Sequence, residues 1–410
     1  MVFYAQGWRL DLETLAVRKV GALYVRPYPA DALIFLNHAR VQKGFTFFDR
    51  GTFVGDLFPK RYTLTVTREG YRTRESHIAV NPSLVTEFKY AVLIPRTKAL
   101  YAPDVKNVWI SEGKTIFESA TGTLRTGDVS FPRRTFFALA KDGRTALLRN
   151  GKNYFLADLE GGTAANLTAL LSTQGIEGPF PEGTLVPLEG GTAVAVNVST
   201  SLSLVDLQTG GVRLLDRARG ATRPFAASPA ALAWAGNRAS AVTSTLTIYD
   251  LFSNTARQIT NVPPHRVTAL AWQGNTLTIL TAQGDFFTYS PRDEHLQKIA
   301  ADTRQFFFSD DGAMVAALEH KSIEVFSPDT NDYWRFNLPS TDRIERLIWY
   351  RDNRHLFVVY PDRTAFLDLD DASLENFDTV VPTNRVAYDA ASNRLYFIED
   401  GALKMTEFAR

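Results

Sequence analysis

The 410-residue chain carries 45 Lys and Arg against 44 Asp and Glu, with 45% hydrophobic and 22% charged residues, a balance that belongs to globular proteins and excludes a largely disordered chain. It contains no cysteine, which excludes a disulfide framework, thiol catalysis and cysteine-ligated zinc. No run approaches the length of apolar sequence that a membrane-spanning helix needs, and residues 1–10 lack the basic start and apolar stretch of a signal peptide.

The near-neutral total hides an asymmetry. Residues 1–100 hold 15 Lys and Arg against 8 Asp and Glu, and the remainder holds 30 against 36. A basic N-terminal region suits the neighbourhood of anionic lipid or wall polymers, or simply a solubilising surface. The longer, slightly acidic remainder shows no basic stripe, which argues against nucleic acid.

Strand signals begin after a lead-in over residues 1–20. Ala22–Arg26 and Ala32–Leu36 read as strands, rich in β-branched and aromatic residues. The intervening Pro27-Tyr28-Pro29-Ala30-Asp31 reads as a turn, because proline cannot donate to a central ladder. Tyr62–Thr67 alternates cleanly, Glu69-Gly70-Tyr71 turns the chain into Ser76–Val80, and a last strand runs from Phe88 to Ile94. Gly21-Ala22-Leu23-Tyr24-Val25, the Pro29-Ala30-Asp31-Ala32 turn, Ile34-Phe35-Leu36-Asn37, Leu57-Phe58-Pro59-Lys60-Arg61-Tyr62 and Gly70-Tyr71 together resemble a PEGA domain over residues 21–94. Ala30 and Asp31 stand where that family has Glu-Gly, and Lys60 replaces a glycine. The resemblance implies a non-catalytic β-sandwich displayed on a cell envelope. It also implies a membrane anchor preceding the chain, with Phe3, Tyr4 and Trp8 as interfacial aromatics or as packing against the sandwich.

From residue 95 to 410 one pattern recurs: apolar strand, Asp/Asn/Gly turn, second strand, turn, third strand ending in Asp, Ser or Glu, then a weaker fourth. The third strand closes at Ser119, Asp158, Asp206, Asp250, Ser290, Ser327, Asp368 and Glu407, at spacings of 37 to 48 residues. Such a period marks four-stranded propeller blades. Eight units are counted, or seven if residues 96–130 are a decorated lead-in. The eighth lacks a fourth strand, which a segment near Pro95–Leu100 would supply. Ser309-Asp310-Asp311-Gly312 and Ala140-Lys141-Asp142-Gly143 resemble the turns of TolB-like and WD-like repeats. The expected fold is thus all-β, a small PEGA-like β-sandwich followed by a β-propeller.

One recurrent residue is not needed to build a blade. Arg96, Arg134, Arg223, Arg266, Arg304, Arg343 and Arg385 each stand just before a first strand, with Glu182 at the one gap. At equal heights around a propeller axis, converging guanidiniums repel one another unless anions or carboxylates answer them. Either they clasp neighbouring blades, with Asp302 and Asp342 as candidate partners, or part of the ring binds an anionic ligand such as a C-terminal carboxylate, an acidic peptide or a phosphorylated polymer.

Hydrolase elbows, zinc-peptidase helices and phosphate loops are absent from the sequence. His38, His77, His265, His295, His320 and His355 are scattered, without metal-ligand spacing. Asp368, Asp370 and Asp371 read as a solvated hairpin rather than a calcium loop. The expectation is a non-catalytic, envelope-exposed binding protein with no cofactor and no metal, whose partner is another envelope protein or an anionic ligand. The alternatives are a TolB-like periplasmic docking component, and a propeller hydrolase of glycans or lactones with carboxylates drawn from distant blades.

Overall fold

The computed structural model of the protein describes residues 7–12, 15–42, 51–111, 113–140, 143–181, 183–188, 191–198, 201–217, 223–237, 244–259, 265–327, 333–338, 343–370 and 377–409. They form two compact units, one of residues 1–103, 350–358 and 362–410 and one of residues 104–349 and 359–361.

The first unit opens with an antiparallel hairpin of β1 (Trp8–Asp11) and β2 (Ala16–Lys19), which the sequence reading treated as a lead-in. Next come β3 (Gly21–Tyr28), β4 (Leu33–Leu36), β5 (Ala39–Arg40), β6 (Thr52–Leu57), β7 (Arg61–Thr67), β8 (Arg74–Ala79) and β9 (Val85–Val92). They make one sheet in the order β6-β3-β9 and another in the order β5-β4-β7-β8. Leu23 and Val25 from the first sheet pack with Ile34, Leu64, Val66 and Ile78 from the second. The period-2 burial of β7, with Tyr62, Leu64 and Val66 inward, is the alternation its sequence shows.

Pro27 departs from expectation. It lies inside β3, the central strand, where a turn was predicted. Pairing of β3 with β6 ends at Val25 opposite Thr52, and the register against β9 shifts between Val25 and Pro27. The proline therefore sits where no β6 partner needs its missing N–H, at an irregularity in the β9 ladder.

The rest of the chain builds four-stranded antiparallel sheets, eight among the described residues. Six span 105–131, 135–166, 185–217, 225–259, 267–300 and 305–337, a seventh spans 346–381, and the eighth takes its strands from 386–407. The eighth sheet is completed by β10 (Ala99–Ala102), which pairs antiparallel with Ala402–Glu407. This succession is that of a β-propeller. Residues 105–131 are a full sheet, so the first repeat unit is a blade rather than a lead-in. The long spacing between Asp158 and Asp206 is taken up by α1 (Leu167–Thr173), a helix the sequence reading did not foresee. Asn166 caps it, its Oδ1 accepting from the Ala169 N–H at 3.1 Å.

Burial peaks in the middle strands of a blade. The second strands Val315–Leu318 and His355–Val359 are buried at every position, the first strands Thr135–Leu139 and Gln305–Phe308 are mostly half-buried, and the outermost strands Ala164–Asn166 and Thr255–Ile259 are almost wholly exposed. Middle strands covered on both faces read as continuous apolar runs, and solvated outer strands carry little pattern, which is why the fourth strand of each repeat is faint in the sequence.

The acid that closes the third strand has a local task. Asp206 Oδ1 accepts from the N–H groups of Gln208 and Thr209, Asp250 Oδ1 from Phe252 and Ser253, and Asp158 Oδ1 from Glu160. These bonds hold the three carboxyls below the usual carboxylate range. Each forms an Asx-type turn. Four residues on, the chain adopts positive φ at Gly162, Gly210 and Asn254, the residue types that tolerate it.

Candidate anion-binding groove and a buried charge cluster

In the second unit, the fifth and sixth blades meet along a groove of ≈ 340 Å³ lined among others by Thr268, Gln283, Asp302, Thr303, Arg304 and His320. Its floor follows from one tight turn. The Ala282 N–H donates to the Arg266 carbonyl at 2.8 Å, Gly284 N–H to Thr281 O at 3.0 Å, and Asp285 N–H to Thr281 Oγ1 at 3.1 Å. Gly284 then accepts the Thr303 N–H at 2.9 Å, joining the two blades. At φ +84° a side chain there would be strained, and its Cβ would stand 2.9 Å from Asp302 Cα.

Arg304 projects from this junction. Its Nη2 donates to the Glu319 carbonyl at 2.9 Å, and among the described residues its Nε and Nη1 donate to nothing. Asp302, the predicted clasp partner, forms no ion pair among the described residues and lines the same groove. The groove therefore presents a fixed guanidinium, a carboxylate, the Gln283 amide and the His320 ring. That set suits a ligand carrying a carboxylate or phosphoryl group next to a hydrogen-bond donor.

The other arginines of the series share a sequence position and not an environment. Arg223 is buried, with Nε 3.3 Å from Asp216 of the preceding blade. Burial lowers its pKa while Asp216 opposes that shift. Arg134 lays its guanidinium over the Phe155 ring, 3.2 Å from the centroid, and burial lowers its pKa too. Arg266 and Arg343 are exposed, as are Arg96 and Arg385 in the first unit. Glu182 and Asp342 lie outside the described residues. Arg223 thus lies against a carboxylate of the preceding blade, and Arg304 lines the groove between two blades.

A second constellation, in the first unit, was missed. His355 opens the strand His355–Val359 and is fully buried. Its Nδ1 lies 2.8 Å from Asp352, and its Nε2 3.6 Å from Asp368, too long for a hydrogen bond but close enough for Coulombic attraction. The Phe366 ring stacks on it at 4.7 Å. Burial works against the imidazolium, yet Asp352 and Asp368 together hold the His355 pKa up at about 9. Asp368 also accepts from Arg74 of β8. Burial pushes that carboxyl up, but His355 and Arg74 outweigh it and hold it well below the usual range.

Asp368 is thus buried and doubly paired, not part of a solvated hairpin; Asp370 beside it is exposed, and Asp371 lies outside the described residues. Arg72, two residues before Arg74, donates to the carbonyls of Thr379 and Val380. The two arginines tie β8 to the seventh blade's strands. The second strands of other blades open on Lys114, Thr145, Ala193 and Arg394, so position in the repeat did not by itself mark the histidine.

Two acidic side chains also meet in the sixth blade. Arg335 lies 3.1 Å from Glu319 and 3.2 Å from Glu324, and Tyr333 donates to Glu324 at 2.6 Å. Burial raises the Glu324 carboxyl, with Glu319 adding to the effect, and the Tyr333 hydroxyl is pushed up to about 12. No group of three or more metal-ligating side chains occurs among the described residues.

No protein-family model matches the chain, and no curated protein matches it. Solved structures do. The C-terminal WD40 domain of Sif2 aligns with a TM-score of 0.51 at 11% identity, covering 77% of this chain and 98% of that one. The computationally designed Ika8 protein aligns at 0.50 and 14% identity, covering 75% and 97%. An oligogalacturonate lyase in complex with manganese aligns at 0.46 and 12% identity, covering 76% and 99%. WD40 repeats form β-propellers, and likeness at such identities carries the fold and not the function.

Proposed function

We propose that this protein is a non-catalytic recognition protein of the cell envelope. Its propeller captures a carboxylate-bearing peptide segment of another envelope protein, in the manner of a TolB-like docking component. The PEGA-like sandwich serves as its spacer. The observation that carries the reading is Arg304, held by the Glu319 carbonyl beside the groove with two donor nitrogens uncommitted among the described residues. A peptide carboxylate accepts from one of those donors in a charge-assisted contact. Asp302 then accepts from an amide or amine of the same segment.

The test is fluorescence anisotropy with a labelled, glutamate-rich peptide that ends in a free carboxylate. Binding should weaken as salt rises, and Arg304→Ala should lower affinity roughly tenfold to a hundredfold, the range of a charge-assisted hydrogen bond. Arg96→Ala, an exposed member of the series in the other unit, should bind as the parent does. An Arg304→Ala protein that melts normally and binds equally well would refute the reading.

A further inference from the structure

Buried polar atoms of a folded protein nearly always have a hydrogen-bond partner, and a cluster of exceptions points to an ion, ligand or water that completes it. Arg223 is the foremost exception in this chain. The residue is 6% exposed, and its Nε, Nη1 and Nη2 all lack a hydrogen-bond partner. No other side chain among the described residues leaves more than one buried polar atom unmet. A guanidinium keeps its proton in a protein and presents five N–H donors in a rigid plane. Neutralisation is therefore no escape, and the donors need acceptors.

The surroundings are an apolar seam. Leu188 and Leu202 of the third blade pack with Leu232, Trp234 and Tyr249 of the fourth. Leu202 stands in register between Asn197 and Asp216, and both of these touch Arg223. Asn197 Nδ2 donates to the Arg223 carbonyl at 2.8 Å, which fixes the amide's orientation, and its Oδ1 is left buried and unmet. Asp216 Oδ2 lies 3.3 Å from Nε without hydrogen-bond alignment, and it already accepts the Trp234 indole N–H at 3.1 Å. Its side chain is 34% exposed, so water shares its charge. Nη1 and Nη2 remain, the end of the fork that matches two oxygens of one oxyanion. A water molecule accepts from these donors without answering the charge, whereas an anion does both. The unmet Asn197 oxygen adds a call for a donor, which suits an oxyanion that keeps a proton. Inorganic phosphate at neutral pH is such a species.

We propose that Arg223 forms, with Asn197, a buried site for a small protonated oxyanion of the phosphate class at the seam of the third and fourth blades. The site is separate from the groove at Arg304, between the fifth and sixth blades, and stands whether or not that groove takes a peptide. Because both arginines are open to phosphate, the experiment uses the full chain carrying Arg304→Ala. Isothermal titration with inorganic phosphate, at an ionic strength held by the bulky sulfonate HEPES, should show one saturable site per chain. The melting temperature should rise with phosphate and level off, as it does for a ligand that binds the folded state. Adding Arg223→Gln should weaken phosphate binding roughly tenfold or more. Adding Asp216→Asn instead should strengthen it, because the guanidinium then shares its charge with no neighbouring carboxylate. A chain that phosphate neither binds nor stabilises, or equal binding after Arg223→Gln, overturns the proposal and leaves an ion pair with ordered water or an adventitious ion only. So does weaker or unchanged binding after Asp216→Asn, which decides the matter alone should Arg223→Gln fail to fold.

Discussion

His355→Gln removes the cation that Asp352 and Asp368 share while keeping a hydrogen-bonding side chain of similar reach. Folding carries the imidazole from an ordinary 6.5 to about 9, and a shift of that size is worth about 3 kcal/mol. Because the folded pKa is the higher one, this stabilisation is fully present below the unfolded value and fades as pH rises through the folded one. Asp368 runs the other way: its depressed pKa stabilises above the ordinary carboxylate range and is lost on acidification. Both contributions coexist in mildly acidic solution. The assay is thermal denaturation of parent and variant at about pH 6 and about pH 9.5, with NMR of labelled histidine to read the titration directly. The variant should melt well below the parent at the lower pH, and the gap should close at the higher one. A gap that persists or widens at alkaline pH, or a His355 that titrates at or below its free value, would refute the reasoning.

Two substitutions probe the packing on which these sites rest. Gly284→Ala places a Cβ within 3.0 Å of the Asp302 and Thr303 backbone at φ +84°. It should cost about 2–4 kcal/mol through left-handed strain and overpacking, read as a lower urea midpoint, and it should also weaken peptide binding at the groove. Asn393→Ala opens a network in the eighth blade, where Nδ2 donates to Tyr350 Oη and to the Phe408 and Ala409 carbonyls while Oδ1 accepts from Tyr388. Leaving those buried groups unanswered should cost about 2–4 kcal/mol, with faster amide hydrogen exchange in residues 402–409 as the local readout.

Much of the architecture is legible in the chain because its cause is local. Alternation along Tyr62–Thr67 follows from a strand with one buried face, and the Asp that ends a third strand recurs because each turn needs an acceptor for its amides. The eightfold count, and the return of an early segment to complete the last blade, follow from that repeat. Local reasoning fails where the partner is remote. Pro27 is admitted to a central strand because β6 stops pairing at Val25. The common position of the seven arginines says where each backbone lies and nothing about which neighbour its guanidinium meets, so Arg223 finds Asp216 while Arg304 faces a groove. Asp368 reads as solvated in sequence, and it is buried because Arg74, nearly three hundred residues earlier, and His355 neutralise it. Backbone pattern is dictated by near neighbours and by burial period, whereas the charge state and exposure of a side chain depend on what the tertiary fold brings against it.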